Sequence, residues 1–589
     1  MYTISVNNRD IQQFRICRAG GDLAVITAAT ELEKYLQLRN GDFETEGMIF
    51  VGLVSEIPTV AQFATQLRED GILIKIEGSN IYIAGVNGRG VIYAAYEFLE
   101  KYCGWGFYAP DVEKEPVGAI NLENLEHIFN PQFDYRMNLL PSAGDGTAHF
   151  RKRHLNARWG TIPEPEEFGG SITFATKWNC HTFSALLPPE VYFEEHPEYF
   201  AMNKNGERVL EKTIEHTQPC LSNPEVFEII LQNLKKDLRA HPNARYASVS
   251  QNDGGAFCHC EACRKVNEEE ETDGGTIYRF VNRIAEAIEE EFPNVMIDTL
   301  AYNYSTKPPA KTVMRDNVSV LLCLMIACRE HAIMDESCSY NAKVRQYLTD
   351  WGKVCNHIRI WDYAANFFNY PMSVMNFKLL YQNVHYLRNF PIKGILFQGA
   401  HTTNPDIEFS ALWGYLQSKL AWNPDMTYVE YLNCAKEFLY AYYGEGAQFI
   451  YDYLMLMMQQ PSSDYHYGPG ATCEQIIPML RLPDGRPNMS FIQDANDLFD
   501  LAEAASSGEA LERVRRTRLH LTWYELCTTY SYICTNGTEE EKKALSDKYE
   551  KFINTVNKWE RFCVRETVEG KMYGKQFDFE VNPNLFIGA

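Results

Sequence analysis

The chain has 589 residues, 45% of them hydrophobic and 23% charged, and a net charge of −23. That length exceeds what one hydrophobic core holds, so about two to four domains are expected. So acidic a surface repels phosphate backbones and anionic lipid, which sets aside nucleic-acid and membrane partners and leaves neutral or cationic ligands.

The opening MYTISVNNRD has no basic stretch leading into an apolar run, so no secretory leader is read there. No run of about 18 uncharged apolar residues occurs that could cross a bilayer. The 16 cysteines are scattered without the rhythm of a small disulfide scaffold, which is the usage of a reducing compartment. A cytoplasmic protein is therefore expected; an exported one whose leader has been removed reads the same way.

Residues 1–125 read as an α/β domain. Leu23, Ile26, Ala29, Leu32 and Leu36 recur at helical spacing before the apolar run Ile49 to Val51. Ile72, Ile74 and Ile76 alternate, Gly78-Ser79-Asn80 turns, and Ile81 and Ile83 alternate again, which predicts a hairpin. The run from Gly85 to Gly90 then opens a helix over Val91 to Tyr102. Its spacing, GxxGxG, is not the dinucleotide fingerprint, and close packing of helix on sheet explains it better.

From 126 to 425 short β-rich runs alternate with amphipathic helices. The candidate strands are Phe133 to Leu140, Trp178 to Leu186, Thr217 to Leu221, Arg245 to Ser250, Val295 to Tyr304, Val318 to Met325, Ile358 to Tyr363 and Gly394 to Gln398. Helical periodicity marks Ile277 to Ile288, Val344 to Trp351 and Phe409 to Leu420 between them. About eight such βα units predict a closed (β/α)8 TIM barrel. Residues 426–589 show no further strand pattern and read as a helical C-terminal domain.

In such a barrel the strands' C-terminal ends face the ligand. Those ends deliver Arg136; Trp178 and His181; Asn252 and Asp253; Tyr302 and Tyr304; Arg329, Glu330 and His331; Trp361, Asp362 and Tyr363; and Gln398 with His401. Carboxylates, amides, imidazoles and aromatics together suit glycosidic hydrolysis. One carboxylic acid protonates the leaving oxygen, a second group stabilises the anomeric centre, and flat walls take the sugar. The aromatic content of 13% fits stacking on sugar rings, although most such side chains are core. Asp253 is the candidate acid with Asp362 or Glu330 as its partner, and Arg136, Trp178, His181, Asn252, Tyr302, Tyr304, His331, Trp361, Tyr363 and Gln398 are candidate substrate contacts. Chemistry of this kind calls for no cofactor.

Just after the fourth candidate strand, Cys258, Cys260 and Cys263 are spaced CxCxxC. Cys220 is a candidate fourth ligand and His259 a local alternative, giving either a structural zinc or reduced thiols with no metal. A nucleic-acid-binding zinc ribbon is not expected, since there is no second knuckle and the charge has the wrong sign.

The motifs His196-Pro197-Glu198-Tyr199-Phe200, Cys220-Leu221-Ser222-Asn223-Pro224, Ser250 to Gly255 with its CxCxxC, Trp361-Asp362-Tyr363 and Leu420 to Pro424 resemble those of the bacterial domain-of-unknown-function 4838 family. That family is related to glycoside hydrolase family 163. Gly88-Arg89-Gly90 through Trp105 to Pro110 is similar to the non-catalytic domain that precedes the barrel in β-hexosaminidases and α-glucuronidases. The resemblance implies an endo-β-N-acetylglucosaminidase-like activity on N-acetylglucosamine-type glycans. It also implies a retaining mechanism in which the substrate's acetamido oxygen is the nucleophile. Such enzymes tend to carry two adjacent acids after strand four. Here an amide, Asn252, stands beside Asp253, so Asp362 or Glu330 has to supply the second carboxylate. A catalytically silent carbohydrate-binding barrel is the alternative.

Overall fold

The computed structural model describes residues 2–39, 41, 44–139, 147–159, 165–367, 370–371, 377–399, 409–458, 466, 468, 478–556 and 558. His401 and the part of the expected helical C-terminal domain beyond 558 lie outside them.

In the N-terminal region the expected hairpin forms: Ile72–Glu77 pairs antiparallel with Asn80–Gly85 around Gly78. These strands lie inside a five-stranded sheet with Leu125–Phe129, Gly47–Leu53 and Phe14–Ala19. Helix Leu23–Leu36 starts where the Asp22 side chain accepts from the Ala24 amide, and it buries Ala24, Val25, Ala28, Ala29, Leu32, Tyr35 and Leu36. Leu23 and Ile26 face outward instead. The glycine run is packing, as its spacing suggested. A Cβ on Gly85 would stand 2.2 Å from the Gly90 carbonyl carbon, so only glycine lets helix Gly88–Glu97 start against the strand.

The closed eight-stranded barrel does not form. The chain makes one all-parallel sheet of six strands, in the order Tyr135–Asn138, Ile392–Gln398, Ile358–Tyr363, Val318–Cys323, Met296–Ala301 and Tyr246–Ser248. Two expected strands fail for local reasons. Within 178–186, His181 is left-handed at φ 54°, the amides of Thr182 and Phe183 both turn to the Ser250 carbonyl, and Phe183–Leu186 closes into a helical turn. Within 217–221, Pro219 has no amide to give a ladder, and the segment makes a single bridge, Phe200 to Pro219. Single-residue parallel bridges at Ala157↔Ile172 and Phe174↔Tyr246 are the pairing seen along that side among the described residues.

Alternation along each strand divides the six-stranded sheet into two faces. Ile358 and Ile360, Val318, Val320 and Leu322, and Ile395 and Phe397 join the large core shared with the helices. Trp361 and Tyr363, Leu321 and Cys323, Leu396, and Tyr135 and Met137 form a second cluster on the other face. Arg359 lies on that second face too. Its guanidinium is 4.3 Å from the Tyr135 ring centroid and 4.6 Å from that of Tyr246, and it pairs with Asp298 at 2.5 Å. Gly394 makes the room, since a Cβ there would press on Tyr135 at 2.6 Å and Arg359 at 3.2 Å.

Helices Pro224–Ala240, Gly275–Ile288, Ser339–Val354, Phe377–Leu387 and Ser410–Trp422 follow or connect the strands. Beyond them Tyr428–Tyr443, Ala447–Met457, Met489–Ala505, Gly508–Asn536 and Glu539–Val556 are helical, as their spacing predicted. Phe438, Tyr453, Phe499, Trp523 and Phe552 join the same core as the sheet's helix-side face, so these helices are packed into it. Full burial of side chains this size contributes on the order of 1.5–3 kcal/mol each.

Candidate functional site

Because the six strands are parallel, their C-terminal ends share one edge, where parallel α/β sheets hold ligands. Asp253 lies just past the strand Tyr246–Ser248. Its Oδ1 accepts from the Gly254 amide at 2.8 Å and from the Tyr302 hydroxyl at 3.2 Å. His181 meets the Tyr302 ring edge-on at 5.8 Å, with Nδ1 at 2.9 Å from the Gln251 carbonyl. Burial pushes His181 below its ordinary pKa while the Asp253 charge pulls the other way. The Gln251 amide donates to the Tyr302 carbonyl at 3.1 Å, which ties the loops of two strands together.

On the same face Trp361 and Tyr363 stack at 5.9 Å, and Tyr302 packs against their cluster. Gln398 Oε1 accepts from Trp361 Nε1 at 2.7 Å and fixes that indole. The structure thus brings Asp253, His181, Tyr302, Trp361, Tyr363 and Gln398 to one end of the sheet. Asp362 belongs by alternation to the helix-side face, with Ile358 and Ile360. Its Oδ1 accepts from Arg329 Nη1 at 2.6 Å and from the Tyr363 amide at 2.9 Å. Arg329 also lies over the Tyr363 ring, 5.7 Å from its centroid. Beside Arg329, Glu330 is half-buried, and burial raises its carboxyl to about 7.

Other candidates are engaged elsewhere. Arg136 is completely buried and donates to Asp70 Oδ2 at 2.8 Å and to the carbonyls of His154 and Phe133, each at 2.7 Å. Asp70 also takes Arg89 and Asn156, both at 2.8 Å. Burial pushes the Asp70 carboxyl up, but Arg89 and Arg136 outweigh it and hold the group well below the usual carboxylate range. Arg136 is therefore a bracket between the sheet and the N-terminal region. Asn252 is also a bracket: Oδ1 accepts from the Ser184 amide at 2.8 Å, Nδ2 donates to the Thr217 carbonyl at 2.7 Å, and its own amide donates to Gln218 at 3.1 Å. Trp178 is 46% exposed, with Lys177 over its ring. Tyr304 stands on the wall of an open cavity of about 1030 Å³ with Phe257, His259, Tyr340, Lys343 and Tyr347. His331 points into a group of sulfur and imidazole ligands with Cys328, Cys338 and His466. Sequence reasoning placed Arg329 at this strand end but found neither its pairing with Asp362 nor Asp70, and no local spacing signals either.

The four cysteines singled out after the fourth candidate strand do meet. Sγ atoms of Cys220, Cys258, Cys260 and Cys263 all lie within 4.8 Å of one another, with Cys220 at 3.7 Å from Cys260 and 3.9 Å from Cys263. A tetrahedral zinc with sulfur at about 2.3 Å has edges of roughly 3.8 Å. The Met202 amide donates to Cys258 Sγ at 3.3 Å, and the His259 amide to the Met202 carbonyl at 2.7 Å. His259 itself lies outside the group, its ring 4.4 Å from Phe257.

Comparison with curated proteins finds no match. Among solved structures the chain is similar to a GH138 enzyme targeting pectin rhamnogalacturonan II, at 10% identity over 95% of this chain and 76% of that one, with a TM-score of 0.41. It is also similar to the CpGH84D structure, at 10% identity over 94% of this chain and 91% of that one, with a TM-score of 0.45. Residues 107–455 match the model of the family described as a domain of unknown function (DUF4838), and the chain belongs to that family.

Proposed function

We propose that the chain is a glycoside hydrolase acting on N-acetylglucosamine-type glycans at the C-terminal edge of its six-stranded sheet. The observation that carries this reading is the meeting of the Asp253 carboxylate with the Tyr302 hydroxyl beside the Trp361–Tyr363 stack. A carboxylate set against flat aromatic walls is what cleavage of a sugar acetal uses. The sugar class rests on the motif resemblance to family 163.

Glu330 is the better proton donor, because a carboxyl raised by burial to about 7 keeps its proton on roughly half of the molecules at neutrality, where an ordinary carboxyl keeps almost none. It gives its proton to the glycosidic oxygen as the bond to the anomeric carbon breaks. Asp253, accepting two hydrogen bonds, acts as the anion that orients the acetamido group or offsets the positive charge at the anomeric carbon. Water then adds to that carbon and returns a proton to Glu330. Asp362, already paired with Arg329, fixes the strand end.

The test compares Glu330→Gln and Asp253→Asn on natural glycans and on aryl glycosides with activated leaving groups. Glu330→Gln is expected to lose on the order of 10²- to 10⁴-fold on natural glycans and far less on activated ones, while Asp253→Asn loses on both. Leaving-group rescue of Asp253→Asn instead would return the acid role to Asp253. Sugar binding without turnover of any substrate would replace the hydrolase by a carbohydrate-binding protein, the reading favoured by the capture of Asp362.

The Cys220, Cys258, Cys260 and Cys263 cluster takes a structural zinc that anchors the loop following Asp253, supported by its near-tetrahedral sulfur spacing. Cys258→Ser is expected to remove about one equivalent of zinc per chain. Unchanged zinc in that variant refutes the site.

A further inference from the structure

The geometry points to a second metal site: Cys328, His331, Cys338 and His466 form a Cys2His2 centre for zinc that ties the loop after the strand Val318–Cys323 to the segment at His466. Their four ligand atoms lie within 4.8 Å of one another. Cys328 Sγ is 3.4 Å from His331 Nδ1 and 3.6 Å from His466 Nδ1, and Cys338 Sγ is 3.6 Å from His466 Nδ1. Zinc at about 2.3 Å from sulfur and about 2.0–2.1 Å from nitrogen requires edges of roughly 3.4–3.8 Å, so these separations already have the size of a zinc tetrahedron.

The surroundings favour metal over a plain thiol pocket. Cys328 and Cys338 are buried at 1% exposure each, and the half-buried rings of His331 and His466 lie against them. Both rings aim Nδ1 at sulfur. The Glu330 amide donates to Cys328 Sγ at 3.4 Å, as the Met202 amide does to Cys258 in the all-cysteine cluster. Cys338 immediately precedes helix Ser339–Val354, whose N-terminal dipole favours a thiolate.

The ligand loop is held by outer partners of the kind metal sites use. Asn341 accepts from the Cys328 amide at 2.9 Å and donates to the His331 carbonyl at 2.9 Å. Tyr340 stacks on the His466 ring at 4.5 Å. On binding, the two thiols release their protons and zinc takes two thiolates and two neutral imidazoles, which leaves the centre uncharged. Glu330 lies inside the loop closed between Cys328 and His331, so on the proposed function the metal also positions the acid.

The test is zinc-edge anomalous diffraction on the whole protein, with metal analysis of variants. Two anomalous peaks are expected per chain, one of them about 2.3 Å from the sulfurs of Cys328 and Cys338. Wild-type protein should carry about two zinc ions, Cys338→Ser and His466→Ala about one each, and Cys258→Ser about one lost from the other cluster. A single peak at the all-cysteine cluster, or zinc content unmoved by both Cys338→Ser and His466→Ala, overturns the second site without touching the first. If a variant fails to fold, the wild-type anomalous map decides alone.

Discussion

Asp70 and Glu330 are carboxyl groups withdrawn from water, the first fully within the N-terminal region and the second in part past the end of a central strand. Asp70 is buried together with Arg89, Arg136 and Asn156, and stays ionised. Glu330 is moved the other way, to about 7, by burial. Burial as such therefore does not mark chemistry in this molecule. What marks it is which effect prevails at the acid: where the nearby arginines outweigh desolvation, as at Asp70, the group becomes a bolt, and where desolvation prevails, as at Glu330, it becomes a proton store.

The hardest way to break this contrast is to remove the charge from the bolt. Asp70→Asn leaves the fully buried Arg136 and its neighbour Arg89 facing a neutral amide, and a loss of about 3–5 kcal/mol in urea unfolding is expected. A loss below about 1 kcal/mol would show the network to be dispensable.

The pH dependence of stability sharpens it, because the two groups contribute with opposite sign. Asp70 has a folded pKa below its ordinary 3.8, so its contribution is fully present above 3.8 and is lost as pH falls from there through the lower folded value. Glu330 has a folded pKa of about 7 against an ordinary 4.5. The folded state holds the extra proton between those values, and stability falls as pH rises from 4.5 to about 7. Melting temperatures of wild type and Glu330→Gln across that range should converge at low pH, with the variant gaining relative to wild type as pH rises from 4.5 to about 7 and keeping a constant lead above it. Parallel curves would mean that Glu330 titrates like a solvated carboxylate. In activity, the same substitution should abolish an alkaline limb near pH 7.

The smallest effect concerns Asn252. Asn252→Asp restores the adjacent acid pair that the family resemblance implies, yet it turns an oxygen toward the Thr217 carbonyl that Nδ2 now serves at 2.7 Å. A cost of about 1–3 kcal/mol and no gain in turnover are expected, measured by unfolding and by hydrolysis rate. A more active variant would make this position part of the chemistry.

Much of the fold was legible because its signals are local. The Ile72 to Ile83 alternation, the parallel strands from Val318 and Ile358, and the late helices all follow from periods of 2 and 3.6. The two missed strand positions turn on single residues, the left-handed His181 and the amide-free Pro219. At the site, strand ends were read without their parity. Trp361 and Tyr363 face the aromatic cluster, whereas Asp362 between them, like Arg136 on its own strand, points to the opposite side. The Asp70–Arg136 pair spans 66 residues and the Cys328–His466 contact 138, separations at which spacing along the chain carries no signal.

Arg359, held between the rings of Tyr135 and Tyr246 and locked to Asp298, makes the inner face of the sheet a filled and inflexible floor. A floor of that kind sets the depth to which any ligand can sink, and a smaller side chain there would leave Asp298 as a stranded charge rather than open a deeper pocket. Any change in what this edge of the sheet admits must then come from the rim, in the loops beyond Ser248, Ala301 and Cys323. Engineers seeking a new specificity in this scaffold have the same restriction and should leave the floor intact.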